Sequence, residues 1–325
     1  MKDFILLDIG ARGGVNWPWD KIKNQINQIL IEADPDEADV LKKEYISNSK
    51  IKVLSYGLWS QSTTLKINIS NSPGSSSVYK QNLKYLKRFP DHKRFETEKV
   101  INIKVDKLDD ISIKEKLNAD FIKIDIEGAE LEAFKGGVNF IKDNIVGIES
   151  EVSFVEKNID QPLFAEIDSY IRNNFELELF DINQKYWKYN KGRNYGPLRG
   201  RIIFADTLYL RPIDKLPIWL DSMSKQKAIH KFSSLLFSAY KYGFYDYVIE
   251  LSEDPKLVKF HDKKILNSIL KKIKPKKLLN LSFKGSVRIY NFLLFLLNIF
   301  HPSHKKFGMA SSNNLGNKIY GRLWF

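Results

Sequence analysis

Two short runs of this chain set reactive residue types at the ends of apolar stretches. The first is Leu6-Leu7-Asp8-Ile9-Gly10-Ala11-Arg12-Gly13-Gly14, an apolar run that closes on an acid and a glycine-rich turn. A turn without Cβ atoms lets a ligand lie directly against the backbone. The second is Asp120-Phe121-Ile122-Lys123-Ile124-Asp125-Ile126-Glu127-Gly128-Ala129-Glu130. Asp125 and Glu127 fall at the end of a strand-like run, and Glu130 falls where a helix begins. Carboxylates in that position can take a proton from an acceptor hydroxyl. They can also hold a divalent cation such as Mg²⁺, although no dedicated ligand set stands out. Acids at a helix start also act as caps, which accounts for Glu127 or Glu130 better than for Asp125. Glu149, with Glu151 beside it, closes the next apolar run and is a further candidate base. His92 is the one histidine before residue 213; it lies in a charged loop and reads as a bystander.

A third run narrows the ligand. Ile31-Glu32-Ala33-Asp34-Pro35 puts an acid at the end of a second apolar stretch, 22 residues past Gly10. An acid there grips a ribose diol in nucleotide-type sites. Dinucleotides call for G-x-G-x-x-G, which delivers a pyrophosphate to a helix N-terminus. The order here is G-A-R-G-G, which favours S-adenosylmethionine instead. No G-K-[ST] occurs, so a P-loop is excluded.

The elements that would position these residues read as an α/β domain. Residues 4–9, 28–32, 51–55, 121–126 and 145–149 are short and rich in Ile, Leu and Val, as buried strands are. Helix-like stretches at 17–27, 35–47, 129–142 and 162–174 alternate with them, which predicts a mostly parallel sheet covered on both faces. Residues 175–182 and 201–210 read as an antiparallel hairpin at the sheet edge, bringing the sheet to seven strands. Residues 60–105 interrupt the alternation with a strand at 65–69, a turn-rich loop at 70–77 and a charged stretch at 80–99. They read as an insertion over the sheet, well placed for substrate contacts.

With these motifs in place, the chain resembles the FkbM-type methyltransferases over roughly residues 3–210. The resemblance rests on LLDIGARGG, IEADP, Tyr56-Gly57-Leu58-Trp59, PGSSSV (73–78), VDKLDDI (105–111) and, most specifically, FIKIDIEGAELEAFKGG (121–137). It implies a Rossmann-like class I fold, S-adenosylmethionine as donor, and O-methylation of a hydroxyl on a sugar or other acceptor. By the same resemblance Asp8, Gly10 and Gly14 line the methionine end, Glu32 holds the ribose, and Gly57 and Leu58 flank the adenine. Asp125, Glu127 and Glu130 face or organise the reaction site. Arg12 stands where such proteins often have Asn, and could meet the methionine carboxylate. N-methylation, or a degenerate fold that only binds a glycan or a membrane, are the alternatives; intact Asp8, Glu32, Asp125 and Glu127 argue against decay.

Composition bounds the remainder. With no cysteine, disulfides, zinc thiolates, iron–sulfur clusters and thiol nucleophiles are excluded. MKDFILLDIG has no basic lead, long apolar stretch or cleavage site, so a cytoplasmic protein is expected. The first 212 residues carry 32 Lys and Arg against 32 Asp and Glu, whereas residues 213–325 carry 20 against 7, so the whole surplus of +13 lies in the last third. We place a boundary there, dividing a methyltransferase domain (1–212) from a basic helical region (213–325) with helices at 223–252, 256–273 and 285–300. Such asymmetry suggests an anionic partner or a solvated face. Residues 271–306 set an uncharged run, Ile289–Phe300, between lysines. That run is shorter than the ~20 residues needed to span a bilayer, but suits peripheral contact with an anionic membrane or a small helical core. Without a recognition motif, nucleic acid ranks last. The Gly-, Ser- and Asn-rich tail 303–325 is expected to be poorly ordered.

Overall fold

The computed structural model describes residues 3–14, 18–192, 200–273, 285–300 and 309–311. Its strands are β1 (Ile5–Ile9), β2 (Asn27–Glu32), β3 (Ile51–Ser55), β4 (Gly57–Leu58), β5 (Thr63–Ser70), β6 (Thr97–Asp106), β7 (Phe121–Ile124), β8 (Gly147–Ser153), β9 (Glu178–Trp187), β10 (Arg201–Leu210) and β11 (Met309–Ser311). Its helices are α1 (Pro35–Glu44), α2 (Leu83–Leu86), α3 (Leu108–Lys114), α4 (Glu130–Lys135), α5 (Val138–Asn144), α6 (Phe164–Phe175), α7 (Leu216–Asp221), α8 (Lys225–Tyr242), α9 (Tyr245–Glu253), α10 (Lys263–Leu270) and α11 (Ser286–Phe300).

The main sheet runs β3-β2-β1-β7-β8-β10-β9-β11. Its first five strands are parallel; β10 lies antiparallel between β8 and β9, and β11 pairs with the outer edge of β9. All seven expected strands lie in this sheet, and the hairpin sits at its edge. The turn-rich segment 60–105, together with Gly57–Leu58 before it, forms a second sheet, β4-β6-β5. The sequence reading missed β6, because TEKVINIKVD alternates charge with apolar residues and one face stays wet.

Alternation along β1 supplies both faces. Leu7 and Ile9 face a core with α3, α4, α5 and α6, while Phe4 and Leu6 face α7 to α10. The stretch 18–27 is not the expected helix. Pro18 begins it, Trp19 is fully buried against Phe4, Phe121 and Tyr242, and only one short 3₁₀ turn forms at Asp20–Ile22. That leaves a sheet face uncovered near β1 and β7, and α8, from beyond residue 212, covers it. Residues 213–270 therefore share a core with the sheet rather than forming one of their own.

Two expected helices are divided. Residues 129–142 split into α4 and α5 at Gly136, where a side chain would overlap the Trp59 carbonyl. Residues 223–252 split into α8 and α9 at Gly243, which ends α8 in a left-handed conformation. The predicted helix at 256–273 is shortened to α10, started by Asp262 accepting from the N–H groups of Lys264 and Ile265. Apart from β11, the tail 303–325 lies outside the described residues, as do 274–284 and 301–308 of the basic segment.

Candidate active site

A cavity of ≈ 270 Å³ opens at the carboxyl ends of β1, β2 and β7, the edge where open α/β sheets bind ligands. The turn after β1 contributes Gly10 and Arg12, the tip of β2 Glu32 to Asp34, β4 Gly57 and Leu58, and the tip of β7 Asp125 and Glu127. Ile67 and Ile69 of β5 and Ile103 and Val105 of β6 add an apolar wall. The small sheet is thus one side of the site. Ser76 and Ser77 close over it from the turn-rich loop.

Gly10 permits this convergence. Its φ is +81°, and a Cβ there would overlap the Asp125 carbonyl, so only glycine lets the β1 turn lie against the β7 tip. At the tip, Glu127 holds φ +54°, uncommon for a residue with a side chain, and the surroundings enforce it. Its carbonyl accepts from Ser77 Oγ at 2.7 Å and Asn158 Nδ2 at 3.1 Å. Glu130 secures the same turn by accepting from the N–H groups of Ile126 (2.9 Å) and Gly128 (3.0 Å). Burial pushes the Glu130 carboxyl up to about 7, with those N–H groups pulling the other way. Glu130 therefore organises the site without lining the cavity.

Glu32 is buried at the cavity edge, and one of its oxygens accepts from the Asp34 N–H at 2.9 Å. Burial raises its pKa, partly offset by that N–H and by Arg12. Arg12 itself is ion-paired with Asp34 (2.7 Å) and Glu37 (3.0 Å).

The acids at the β7 tip do not stand alone. One carboxylate oxygen each from Asp125, Glu127 and Glu151 lie within 4.8 Å of one another. Lys157 is buried beside them, donating to Glu127 at 3.2 Å and Glu151 at 2.8 Å. Burial raises the pKa of both glutamates against the pull of Lys157, and their charges in turn hold the lysine protonated against its own burial. An ammonium thus already supplies positive charge among these acids. Asp125 lines the cavity, and its carboxylate makes no hydrogen bond or ion pair among the described residues.

Other expected site residues lie elsewhere. Asp8 is fully buried behind the cavity, 3.4 Å from Lys123 Nζ, with burial raising its pKa against the lysine's charge. Gly14 lies under the Tyr45 hydroxyl, outside the lining. Glu149 is not at the cavity: it points beneath α8, where Tyr242 OH donates to it and Trp19 Nε1 donates to Tyr242 at 3.2 Å. Its neighbour two residues on, Glu151, joins Asp125 and Glu127 instead. His92 is also outside the lining.

Sequence reasoning missed Lys123 and Lys157. A lysine within the apolar run FIKI signals a buried charge partner; Lys157, in the loop after β8, gives no such signal.

This sheet order, with β10 antiparallel between β8 and β9 and with the glycine turn and strand-tip acids around one cavity, is a Rossmann-like methyltransferase fold. The chain belongs to the FkbM methyltransferase family: the methyltransferase FkbM domain matches residues 8–177. That family is one of S-adenosylmethionine-dependent methyltransferases. Among solved structures it is similar to methyltransferase FkbM from Methylobacillus flagellatus KT, at 18% identity and TM-score 0.38 over 64% of this chain. The match spans only 44% of that chain. It is also similar to a SAM-dependent methyltransferase from Aquifex aeolicus, at 10% identity and TM-score 0.26, covering 64% of this chain and 84% of that one. No curated protein matches.

Proposed function

We propose that the protein methylates a hydroxyl oxygen of a sugar-containing acceptor, with S-adenosylmethionine as donor. The observation that carries this reading is the unpaired Asp125 carboxylate on the wall of the cavity that also presents Glu32 and Gly57-Leu58. The cradle suits the cofactor. Glu32 keeps an oxygen for a ribose diol, the apolar wall beside Gly57 and Leu58 accepts a flat base, and Gly10 exposes backbone where a side chain would intrude. When bound, S-adenosylmethionine supplies a methyl group already activated on a sulfonium, leaving a neutral thioether.

The chain's own residues then have two tasks. One is to fix the acceptor hydroxyl, and positioning of this kind supplies roughly 7–11 kcal/mol. The other is to take its proton as the new C–O bond forms, which a placed base accelerates by about 10²–10⁴-fold. Asp125 is the base in this reading. Glu127, held by Lys157, orients the acceptor. No divalent cation is required in it, since Lys157 already offsets the acids.

The test is an acceptor screen across mono- and oligosaccharides with labelled S-adenosylmethionine, reading the methylated atom by mass spectrometry and NMR. A methyl ether supports the reading; a methylated nitrogen contradicts it.

A second reading concerns place. Val287, Ile289, Phe292, Leu293 and Phe295 of α11 are exposed, and lysines flank the helix in sequence. We propose that this segment lies on an anionic membrane surface. No helix among the described residues is long and apolar enough to cross one.

A further inference from the structure

Beyond the acid cluster, away from the cofactor cradle, the structure builds a shelf of aromatic rings and guanidinium groups. Its core is Phe89, Phe95 and Trp187, buried with Leu86, Val155 and Ile203. Phe89 packs on Trp187 (5.5 Å between centroids) and stacks on Tyr189 at 4.8 Å. Arg94 lies over Phe95 at 4.5 Å and near Trp187 at 5.7 Å. Arg88 and Arg201 share the Tyr85 ring, at 5.5 Å and 5.7 Å.

The shelf is joined to the site. Lys157, which holds Glu127 and Glu151, lies 4.7 Å over the Phe204 ring, and Phe204 packs on Trp187 at 6.0 Å. The Arg94 carbonyl accepts from Ser72 N–H at 2.9 Å, at the head of the loop that closes over the cavity. The Asn82 N–H, which begins α2, donates to the Lys157 carbonyl at 2.8 Å. Asn190 binds the Arg88 carbonyl through its N–H and the Phe89 carbonyl through its side chain.

Arg201 donates to the Tyr189 hydroxyl at 3.4 Å, but other polar groups of the shelf are unspent. The Arg94 guanidinium makes no hydrogen bond or ion pair among the described residues, and the Trp187 Nε1 donor is buried without an acceptor. Lys84, Lys87, Arg88, Lys93 and Arg94 face only one acid, Asp91, within residues 84–94. Ordinary solubility does not call for guanidinium groups stacked on rings, one of them with its charge felt at Glu127. The buried rings form a floor that holds the guanidinium groups in place, and a guanidinium fork matches an oxyanion.

We propose that this shelf binds an anionic group, a phosphate, sulfate or carboxylate, carried by the acceptor sugar whose hydroxyl is methylated. The inference rests on the methyl-transfer reading for its acceptor, but the shelf can be tested without it. Arg94 holds the anion, Arg88 and Arg201 extend the positive field, and the sugar bridges from there to Asp125. The cations also offset the repulsion that an anionic acceptor would meet from Asp125, Glu127 and Glu151.

The experiment is calorimetric titration of the full chain with glucose, glucose 6-phosphate and glucuronate, with and without saturating S-adenosylhomocysteine. At least one charged sugar should bind about tenfold or more tightly than glucose, from charge-assisted hydrogen bonds. Preference for the phosphate over glucuronate assigns a phosphate- or sulfate-type acceptor, and the reverse assigns a carboxylate. Arg94→Gln should abolish the preference, Arg94→Lys should keep part of it, and both should bind S-adenosylhomocysteine as the wild type does. Equal affinity for all three sugars, or none for any, overturns the proposal. So does a preference that survives Arg94→Gln combined with Arg88→Gln. A charged-sugar preference without S-adenosylhomocysteine binding would keep the shelf and sink the methyl-transfer reading; the opposite pair of results would do the reverse.

Discussion

Asp125, Glu127 and Glu151 share one small volume yet differ in what each is free to do. Lys157 occupies the two glutamates, and Asp125 alone faces the cavity without a partner. Asp125→Asn keeps the shape and removes the proton acceptor. It should lower kcat by about 10²–10⁴-fold while leaving cofactor affinity within a few fold. Steady-state kinetics and cofactor titration on the same preparation check this; an unchanged kcat would move the base to Glu127. Much of this set was legible beforehand. Strand-tip acids after apolar runs pointed to Glu32, Asp125 and Glu127, glycines in a turn pointed to Gly10, and the fold brings these four to one cavity. Glu149 was misplaced because strand alternation gives Glu149 and Glu151 the same side. Which of them meets the β7 tip depends on where α8 covers β8, a long-range fact that no local pattern carries. Lys157 was illegible for the same reason, being drawn in by charges distant in sequence.

At the scale of elements, α8 does what a helix after β1 was expected to do. Near its start Lys231 Nζ donates to Asp120 at 2.7 Å and His230 Nε2 lies 2.9 Å from it; at its far end Tyr242 donates to Glu149. Burial alone would raise the Asp120 pKa, but His230 and Lys231 outweigh it and hold the carboxyl below its usual range. Glu149 goes the other way. Burial pushes it up to about 8, with Asp206 adding to the effect and Tyr242 opposing it. The folded protein thus keeps a proton on Glu149 that the unfolded chain releases in the ordinary glutamate range, near 4.5. Its contribution to stability is full below that value and is lost as pH rises towards 8, at up to about 1.4 kcal/mol per pH unit. Glu149→Gln should therefore flatten the fall in urea midpoint between pH 5 and 8. An identical fall in wild type and variant would show that Glu149 is ionised beneath α8. The helix expected over 17–27 gives way to one 3₁₀ turn, with Trp19 buried under α8.

For the molecule as a whole, the charge boundary at residue 212 is not a boundary in the core. Phe4, Leu6, Trp19 and Phe121 would be bared without α7 to α10. Burial of such side chains stabilises by roughly 1.5–3 kcal/mol each. A chain ended after residue 212 should consequently aggregate, whereas one ended after residue 273 should keep the full chain's sedimentation behaviour and its thermal transition within a few degrees. Sedimentation and calorimetry decide, and a well-folded 1–212 fragment would refute the shared core. The same 1–273 chain should lose binding to phosphatidylserine vesicles if α11 and its lysines make the membrane contact. Vesicle binding equal to that of the full chain would place that contact elsewhere.

The most direct test of the cofactor site is calorimetric titration of S-adenosylhomocysteine into the full chain and into Glu32→Ala. Micromolar binding by the wild type, weakened by about tenfold or more in a folded Glu32→Ala through loss of the charge-assisted ribose contact, is the predicted result. A folded wild-type protein that binds no S-adenosylhomocysteine, or a Glu32→Ala variant that binds it equally well, would contradict the assignment of this cavity.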